Sequence, residues 1–376
     1  MKAVVAPDKF KHSLSSLEAC LSIKQGLEAG NAGIEVNILP MADGGDGMAE
    51  IIGHYLPAEQ RCVRVQDPLF RTIDSSFLLT SNNKTAYIEM AKASGLLLLS
   101  SGEQNCMYTS TCGTGQLIKE ALLSGATEII IGIGGSATND CGIGMAEALG
   151  YRFLDKNGAQ VEPVGMNLGQ IERIDSTAVP DLSAIRFTVA CDVKNPLTGD
   201  NGASRVFAGQ KGASATEIEL LERGMLHFAE IIQRDMGKDV SAIAGTGAAG
   251  GLGAGCMAFI NASLLSGIEL VLQISKAEEY IKEADVVITG EGRIDRASLN
   301  GKVISGLAGL CKKHDKPLIA FCGELNLTAK ETQESGLHKV CNINPAGISK
   351  EEAFRNAALL LEKKAFETGS QLSKLF

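Results

Sequence analysis

The sequence of 376 residues has no tryptophan, and phenylalanine and tyrosine bring the aromatic share to only 5%. Aliphatic and small side chains must therefore form the core. Histidine is scarce, with five residues, and none of the ten cysteines belongs to a C-x-x-C pair, so a zinc site is not expected. Basic residues are outnumbered by acidic ones, 35 to 44, which gives a net charge of −9. This balance argues against nucleic-acid binding but leaves open a local basic pocket for a small anion.

Long apolar stretches are also scarce. The first residues, MKAVVAPDKFKHSL, contain an apolar run of only four residues before a charge, which is not typical of a signal peptide. We therefore expect a cytoplasmic protein with reduced cysteines. The longest uncharged segment, residues 240–268, contains seven glycines. We interpret it as a glycine-rich loop that enters a buried helix, not as a membrane span.

Glycine, in contrast, is abundant, with 43 residues. Many tight turns and close backbone approaches favour an α/β protein that handles phosphate or nucleotide. Strand and helix patterns alternate at both chain ends, which predicts a parallel sheet, while residues 61–79 read as a hairpin. We predict two α/β domains: a Rossmann-like parallel-sheet domain over 1–60 plus 281–376, and an inserted mixed-sheet domain over 61–280.

Several polar or glycine-rich loops follow predicted strands, and ligands bind beyond the carboxyl ends of parallel strands. After the first strand, Lys9 and Lys11 are candidates to bind a substrate carboxylate, although ordinary surface lysines are an equal alternative. Residues 43–47, which include Asp43, form an acidic loop that is either functional or a simple Asp-Gly turn.

A third loop, residues 134–140, places donors at the start of a predicted helix. Ser136, Thr138 and Asn139 suit a phosphate or a carboxylate, and Asp140 ends the same run. The structural alternative is N-capping of the helix by these side chains.

Two further loops combine carboxylates with cations. Asp192 and Lys194 follow a predicted strand, and Lys211 adds a positive charge; Glu291, Arg293 and Asp295 follow another strand. Phosphoryl transfer needs a carboxylate to hold Mg²⁺ or to accept a hydroxyl proton, and cations for the moving charge. The alternatives are a solvated turn for the first group and a local ion pair for the second.

The glycine-rich segment that begins at Gly245 matches G-x-G-x-x-G. Backbone N–H groups there could hold phosphate oxygens, with Gly247, Gly250, Gly251, Gly253 and Gly255 as the candidates. Close helix packing is the alternative explanation. A dinucleotide fingerprint would require a clear preceding strand, which the sequence does not show.

Together these motifs resemble the bacterial glycerate kinase family, in the same order and over nearly the whole chain. The resemblance rests on APDKFKHSLS at 6–15, PMADGGDG at 40–47, GGSATND at 134–140, CDVKNPLTG at 191–199, GAAGGLGAG at 247–255 and ADVVITGEGRID at 284–295. It implies two α/β domains and transfer of the ATP γ-phosphoryl group to D-glycerate, with Mg²⁺, usually to 2-phosphoglycerate, in an interdomain cleft.

On this resemblance we assign roles to the motif residues as hypotheses. Catalytic residues would be Asp192, Asp295, Lys9, Lys194 and Arg293; Asp192, Glu291 and Asp295 would hold the metal. Glycerate would contact Asp8, Lys11, Asp43, Ser136, Thr138, Asn139 and Asp140, and ATP would contact the five glycines and Lys211. The partners would be glycerate and ATP, without nucleic acid or membrane, and a homodimer stays open.

Some positions depart from the family pattern. Cys141 stands where the family usually has glycine, Ala208-Gly209 replaces Gly-Pro, Ala297-Ser298 replaces Gln-Thr, and Ile304 replaces a frequent proline. Two other classes of function stay open from sequence alone: an NAD-dependent oxidoreductase that uses Gly245–Gly250, and a non-catalytic sensor of small anions on a kinase-like fold.

Overall fold

A computed structural model describes residues 1–42, 48–82, 84–296, 298–299 and 302–372. The chain forms two compact units. We call Met1–Tyr55 with Ser266–Phe376 the terminal unit, and Leu56–Leu265 the inserted unit. The structure places the boundaries after Tyr55 and Leu265, earlier along the chain than the predicted boundaries after residues 60 and 280. Residues 266–280 belong with the terminal unit because their helices pack against its first strand and its other helices.

The strands of the described residues are numbered β1 to β13 in chain order. Their bounds are Lys2–Val5, Glu35–Ile38, Ala58–Gln66, Thr72–Thr80, Thr85–Glu89, Glu128–Gly132, Arg152–Leu154, Arg173–Asp175, Arg186–Ala190, Ser263–Leu265, Val286–Ile294, Leu318–Leu325 and Lys339–Asn342.

The α-helices of the same residues are numbered α1 to α14. Their bounds are Ser16–Gly30, Met48–Tyr55, Ala91–Ser94, Cys112–Leu123, Ile143–Ala148, Ala203–Phe207, Ala215–Met236, Ala248–Ile260, Gly267–Ile274, Ala277–Glu283, Val303–Lys313, Ala329–Glu334, Lys350–Arg355 and Ala357–Gly369. Short 3₁₀ turns occur at Leu96–Leu98, Gly165–Gln170 and Gly209–Lys211.

The terminal unit is built on a five-stranded sheet in the order β13-β12-β11-β1-β2. All four strand pairs are parallel. The central strands are buried on both faces: Val5 and Ile288 pair on one face, Val4 and Val287 pair on the other, and none of the four is more than 1% exposed. Helix α1 packs closely against α14, so both chain ends contribute to one core.

The inserted unit contains a six-stranded sheet in the order β10-β9-β6-β5-β4-β3. Strands β3, β4 and β5 are antiparallel, and β5, β6, β9 and β10 are parallel. Its core includes Phe153, Phe228 and Phe259, whose ring centroids lie 5.7 to 6.4 Å apart. The predicted fold class, a parallel sheet from both chain ends and a mixed sheet between them, is confirmed.

Two local predictions differ from the structure. The sequence predicts one helix over 350–368, but the structure has α13 and α14 with a break at Asn356. The sequence also predicts that Glu291 and Arg293 lie in a loop. Instead β11 continues to Ile294, because Arg293 and Ile294 pair with Glu324 and Leu325 of β12.

Candidate active site

A cavity of about 490 Å³ lies in the terminal unit where β1, β11 and β12 end. Strand β1 pairs with β2 on one side and with β11 on the other. Connections that diverge in this way leave a crevice at the carboxyl edge of a parallel sheet, where ligands bind. The cavity brings together six predicted site residues: Asp8, Lys9, Lys11, Glu291, Arg293 and Asp295.

The loop after β1 has a defined backbone. The Asp8 N–H donates to the Gly290 carbonyl at 2.8 Å, and Phe10 and Leu14 exchange two backbone hydrogen bonds of 2.9 Å. His12, at the tip between them, adopts a positive φ of 67°. The two hydrogen bonds between Phe10 and Leu14 therefore fix the backbone of the loop that carries Lys9 and Lys11 at the cavity.

Strand β11 carries the next two predicted residues. Glu291 and Arg293 are two positions apart in the strand, so their side chains project from the same face. The Arg293 Nε lies 3.1 Å from Oε2 of Glu324, its register partner on β12. Both members of this ion pair are about half exposed, so the guanidinium stays accessible from the cavity.

The carboxyl of Glu291 lies in an unusual electrostatic environment. Burial raises its pKa to about 7, and the neighbouring Asp8 and Asp295 carboxylates act in the same direction. Ser298 and Lys302 act in the opposite direction. The carboxyl is therefore partly protonated near neutral pH, and a cation bound beside it would favour the charged form.

The donor chemistry of this cavity fits Mg²⁺. Carboxylate oxygens are the hard ligands that Mg²⁺ prefers, and Mg²⁺ commonly takes one or two of them together with water and phosphate oxygens. Within the described ranges, no group of three or more His, Cys, Asp or Glu side chains is arranged to hold a metal ion. Because Mg²⁺ can bind through one or two carboxylates, Glu291 and Asp295 of the cavity are the candidates to hold it together with phosphate oxygens.

The inserted unit gathers other predicted residues into a buried polar cluster. The Lys211 ammonium donates to Ser136 Oγ and to the Thr138 carbonyl, both at 2.7 Å. Lys211 is 3% exposed, and this burial lowers the pKa of its ammonium to about 8. Lys211 therefore holds residues 136–138 in place through these two hydrogen bonds.

Asn139 continues that cluster. Its Nδ2 donates to Ser204 Oγ at 3.0 Å. Within the described part of the chain, Thr138 Oγ1 and Asn139 Oδ1 have no hydrogen-bond partner, and neither residue has exposed surface.

Asp140 has a structural task. Its carboxylate accepts hydrogen bonds from Thr111 N at 2.8 Å and Thr111 Oγ1 at 2.7 Å. It also accepts from Gly142 N at 3.2 Å and Gly144 N at 3.3 Å. Because the side chain is fully buried, it ties the start of α5 to the start of α4. Asp140 is therefore a structural carboxylate in this structure, and its contact with substrate stays a prediction.

Packing explains the glycine-rich segment. A Cβ atom at any of Gly247, Gly250, Gly251, Gly253 or Gly255 would lie 3.0 Å or less from a neighbouring atom. At Gly250 it would lie 2.0 Å from the Thr138 carbonyl oxygen, and the backbone there has a φ of 66°. Residues 240–247 contain no strand. The segment thus lacks the context of a dinucleotide fingerprint. Close packing accounts for its glycines, and their contact with phosphate stays a prediction.

Three predicted residues stand apart from these two groups. Asp192 and Lys194 follow β9 and are both exposed. Asp43 lies outside the described residues. The structure thus separates the predicted site residues into an accessible charged cavity, a buried cluster and two exposed side chains after β9.

The cysteines and the uncharged segment have packing roles. All ten cysteines are free thiols, and eight are buried; Cys62 and Cys191 are the exceptions. Burial raises the pKa of Cys191 to about 11, which does not favour a nucleophile. The helix at 248–260 lies in the core of the inserted unit. None of the helices in the described ranges combines the length and the apolar character needed to cross a membrane.

Sequence reasoning missed part of the cavity wall. Phe354, Lys350 and Asn344 line the cavity together with His12, and none of these four is among the predicted site residues. No motif marks Phe354, because it lies near the chain end on a helix that reads as ordinary and amphipathic. Only the tertiary packing of α13 beside the loop after β1 reveals it.

The chain is similar to known proteins over nearly its whole length. A family model described as the glycerate kinase family matches residues 3–373. A protein named glycerate kinase from Halalkalibacterium halodurans is 44% identical over 363 residues, which is 96% of each chain. A protein named glycerate 2-kinase from Escherichia coli is 43% identical over 358 residues, 95% of this chain and 94% of that one.

A solved structure shows the same fold. A crystal structure described as glycerate kinase 2 from Salmonella typhimurium LT2 superposes with a TM-score of 0.89 at 40% sequence identity. The match covers all of this chain and 98% of that one.

Proposed function

Since the chain belongs to the glycerate kinase family and is therefore a phosphotransferase, we propose that it transfers the γ-phosphoryl group of ATP to the 2-hydroxyl of D-glycerate. The observation that carries this proposal is the cavity of the terminal unit, where carboxylates and cations meet at the carboxyl edge of a parallel sheet. The name of the Escherichia coli relative, glycerate 2-kinase, supports the choice of the 2-hydroxyl.

The cations of the cavity suit the charge of the reaction. In phosphoryl transfer, negative charge spreads over the oxygens of the moving group, and catalysis consists mainly of positioning and electrostatic stabilisation. Lys9, Lys11, Arg293 and Lys302 line the cavity. We assign the phosphate oxygens and the glycerate carboxylate to this group of cations.

The carboxylates Glu291 and Asp295 would hold Mg²⁺, with the phosphate oxygens completing its ligands. When bound, Mg²⁺ neutralises charge on the phosphates and orients them. A cation at this position also explains why a carboxyl as buried as Glu291 would be ionised in the working enzyme, although burial alone raises its pKa.

A carboxylate is also needed to accept the proton of the attacking hydroxyl. Asp192 is the first candidate, and Asp295, proposed above as a metal ligand, is the alternative. Asp192 and Lys194 are exposed at the end of β9, so both are accessible to a ligand. We propose Lys194 as a further cation for the developing charge.

The direct test is to mix the purified protein with MgATP and D-glycerate and to follow ADP formation, with ³¹P NMR of the product. Omission of glycerate and addition of excess EDTA are the controls. We expect ADP formation that depends on both glycerate and metal, and a phosphate resonance from a secondary carbon. A primary-carbon signal would contradict the 2-hydroxyl assignment, and the absence of turnover by folded protein would overturn the proposal.

The role of Asp192 needs its own variant. Asp192→Asn should lower kcat by about 10²-fold or more if Asp192 accepts the proton, while Asp74→Asn, an exposed aspartate beside Arg64, should leave kcat unchanged. Unchanged kcat in Asp192→Asn would transfer the role to Asp295.

A further inference from the structure

The cavity of the terminal unit has a second half that the proposed chemistry does not use. Besides the charged residues, its wall contains apolar and aromatic side chains. This half is formed by Phe10, His12, Ile343, Ala353, Phe354 and Ala357. Glycerate is a three-carbon acid without a ring, so it offers little apolar surface to pack against these side chains.

Phe354 is the distinctive residue of this apolar half. Its side chain is 45% exposed, whereas Ala353 and Ala357 beside it are 8% and 4% exposed. The ring centroid of Phe354 lies 5.9 Å from that of His12, with an angle of 45° between the planes. Two accessible rings that line the same cavity as two small, buried alanines form a surface suited to a flat aromatic ligand, because rings favour offset or tilted contacts at such distances.

The charged and apolar halves are close to each other along the chain. The single loop after β1 supplies both the cations Lys9 and Lys11 and the rings of Phe10 and His12. Its backbone bridge between Phe10 and Leu14 holds both sets in place. Lys350, one turn before Phe354 on α13, adds a positive charge on the apolar side.

A ligand that fits both halves has a flat ring at one end and several negative charges at the other. A nucleoside triphosphate has this form. The cavity volume of about 490 Å³ lies within the range of about 300–1,000 Å³ typical of small-molecule sites.

We propose that the purine ring of the nucleotide stacks on Phe354 and His12, with its phosphates toward Lys9 and Lys11. This inference rests on the proposed function, since it names the subsite of the phosphoryl donor. It places the nucleotide in the terminal unit and replaces the expectation that the glycine-rich segment of the inserted unit holds it.

The test compares two anions that share phosphates but not a base. Calorimetric titration measures the Kd of MgATP and of magnesium tripolyphosphate for the wild type and for Phe354→Ala. Loss of an aromatic stacking partner should raise the Kd of ATP about tenfold or more. The Kd of tripolyphosphate should not change. In steady-state kinetics, the KM for ATP should rise by a similar factor, with the KM for glycerate unchanged.

Matched variants guard against indirect effects. Phe366→Ala removes an equally exposed phenylalanine, 47% exposed on α14, and should change neither Kd. Phe354→Tyr keeps a ring and should retain ATP affinity. His12→Asn keeps a residue that tolerates positive φ, and should raise the Kd of ATP a few-fold even if Phe354→Ala proved too unstable to study.

The outcomes separate this inference from the proposed function. Unchanged ATP affinity in Phe354→Ala and His12→Asn would overturn the subsite, while turnover by the wild type would still support the kinase. An equal loss of ATP and tripolyphosphate affinity would also overturn it, because the base would then contribute nothing. ATP binding that depends on Phe354, without phosphorylation of glycerate, would support the subsite and overturn the proposed function.

Discussion

Polar residues that follow parallel strands lie in different environments in the two units. In the terminal unit, the residues after β1 and at the end of β11 face an accessible cavity with charges of both signs. In the inserted unit, the polar side chains at 136 and 138–140 after β6 are buried. Asp140 and Lys211 form hydrogen bonds to nearby backbone and hydroxyl groups. A glycine-rich or polar motif therefore marks a place where backbone segments approach closely. Whether that place binds a ligand depends on what tertiary packing leaves exposed.

The largest expected effect tests the packing role of the inserted unit. Gly250→Ala should lower the free energy of unfolding by about 4 kcal/mol or more, because it combines a strained positive φ with a backbone overlap. Gly237→Ala is the control, since Gly237 also has a positive φ, 69°, but open space around it. Gly237→Ala should cost only about 1–2 kcal/mol, from the positive φ alone. Urea unfolding measures both, and equal losses would return the glycine-rich segment to candidacy as a phosphate site.

The next effect tests the chemical role of the terminal unit. Glu291→Gln should reduce kcat by about 10²–10³-fold, which corresponds to about 3–4 kcal/mol, because it removes a carboxylate proposed to hold the metal. Its unfolding free energy should not fall, since a buried carboxyl with a raised pKa is replaced by a neutral amide. Glu28→Gln on the exposed face of α1 should match the wild type. A Glu291→Gln enzyme with normal kcat would remove Glu291 from the mechanism.

A pH series sharpens the contrast for Lys211. The folded state lowers the pKa of this lysine from 10.5 to about 8, so between these values the unfolded chain binds the proton and the folded chain does not. Stability therefore rises with pH in this window. Between about pH 8 and pH 10, the unfolding free energy of the wild type should rise by roughly 2–3 kcal/mol relative to that of Lys211→Met. A constant difference would contradict a buried, perturbed ammonium.

The smallest effect separates stability from chemistry within the terminal unit. Ser15 Oγ accepts a hydrogen bond from Glu18 N, and the Glu18 carboxylate accepts one from Ser15 N. Ser15→Ala should cost about 1 kcal/mol of stability while kcat and both KM values stay unchanged. A change in kcat would show that the cap of α1 also affects the cavity, which would contradict a purely stabilising role.

The comparison also explains what the sequence could predict. Serine at 15 followed by glutamate at 18 is a local pattern that predicts a capping box, and the structure confirms it. The hairpin over 61–79 and the parallel strands at both chain ends are confirmed in the same way. The association of Phe354 with the loop after β1 depends on contacts over more than 300 residues, which no local pattern contains. The burial of Lys211 could not be predicted either, because the sequence of a polar loop does not show whether its lysine is exposed or buried.

Amide hydrogen exchange with and without MgATP tests the central claim most directly, since it reports on both units in one sample. The claim is that the terminal unit binds the nucleotide and that the polar cluster of the inserted unit is structural. We predict slower exchange on MgATP addition in residues 8–13, 291–296 and 350–357, and no change in 136–144 and 247–255. Slower exchange confined to 136–144 and 247–255 would contradict the account.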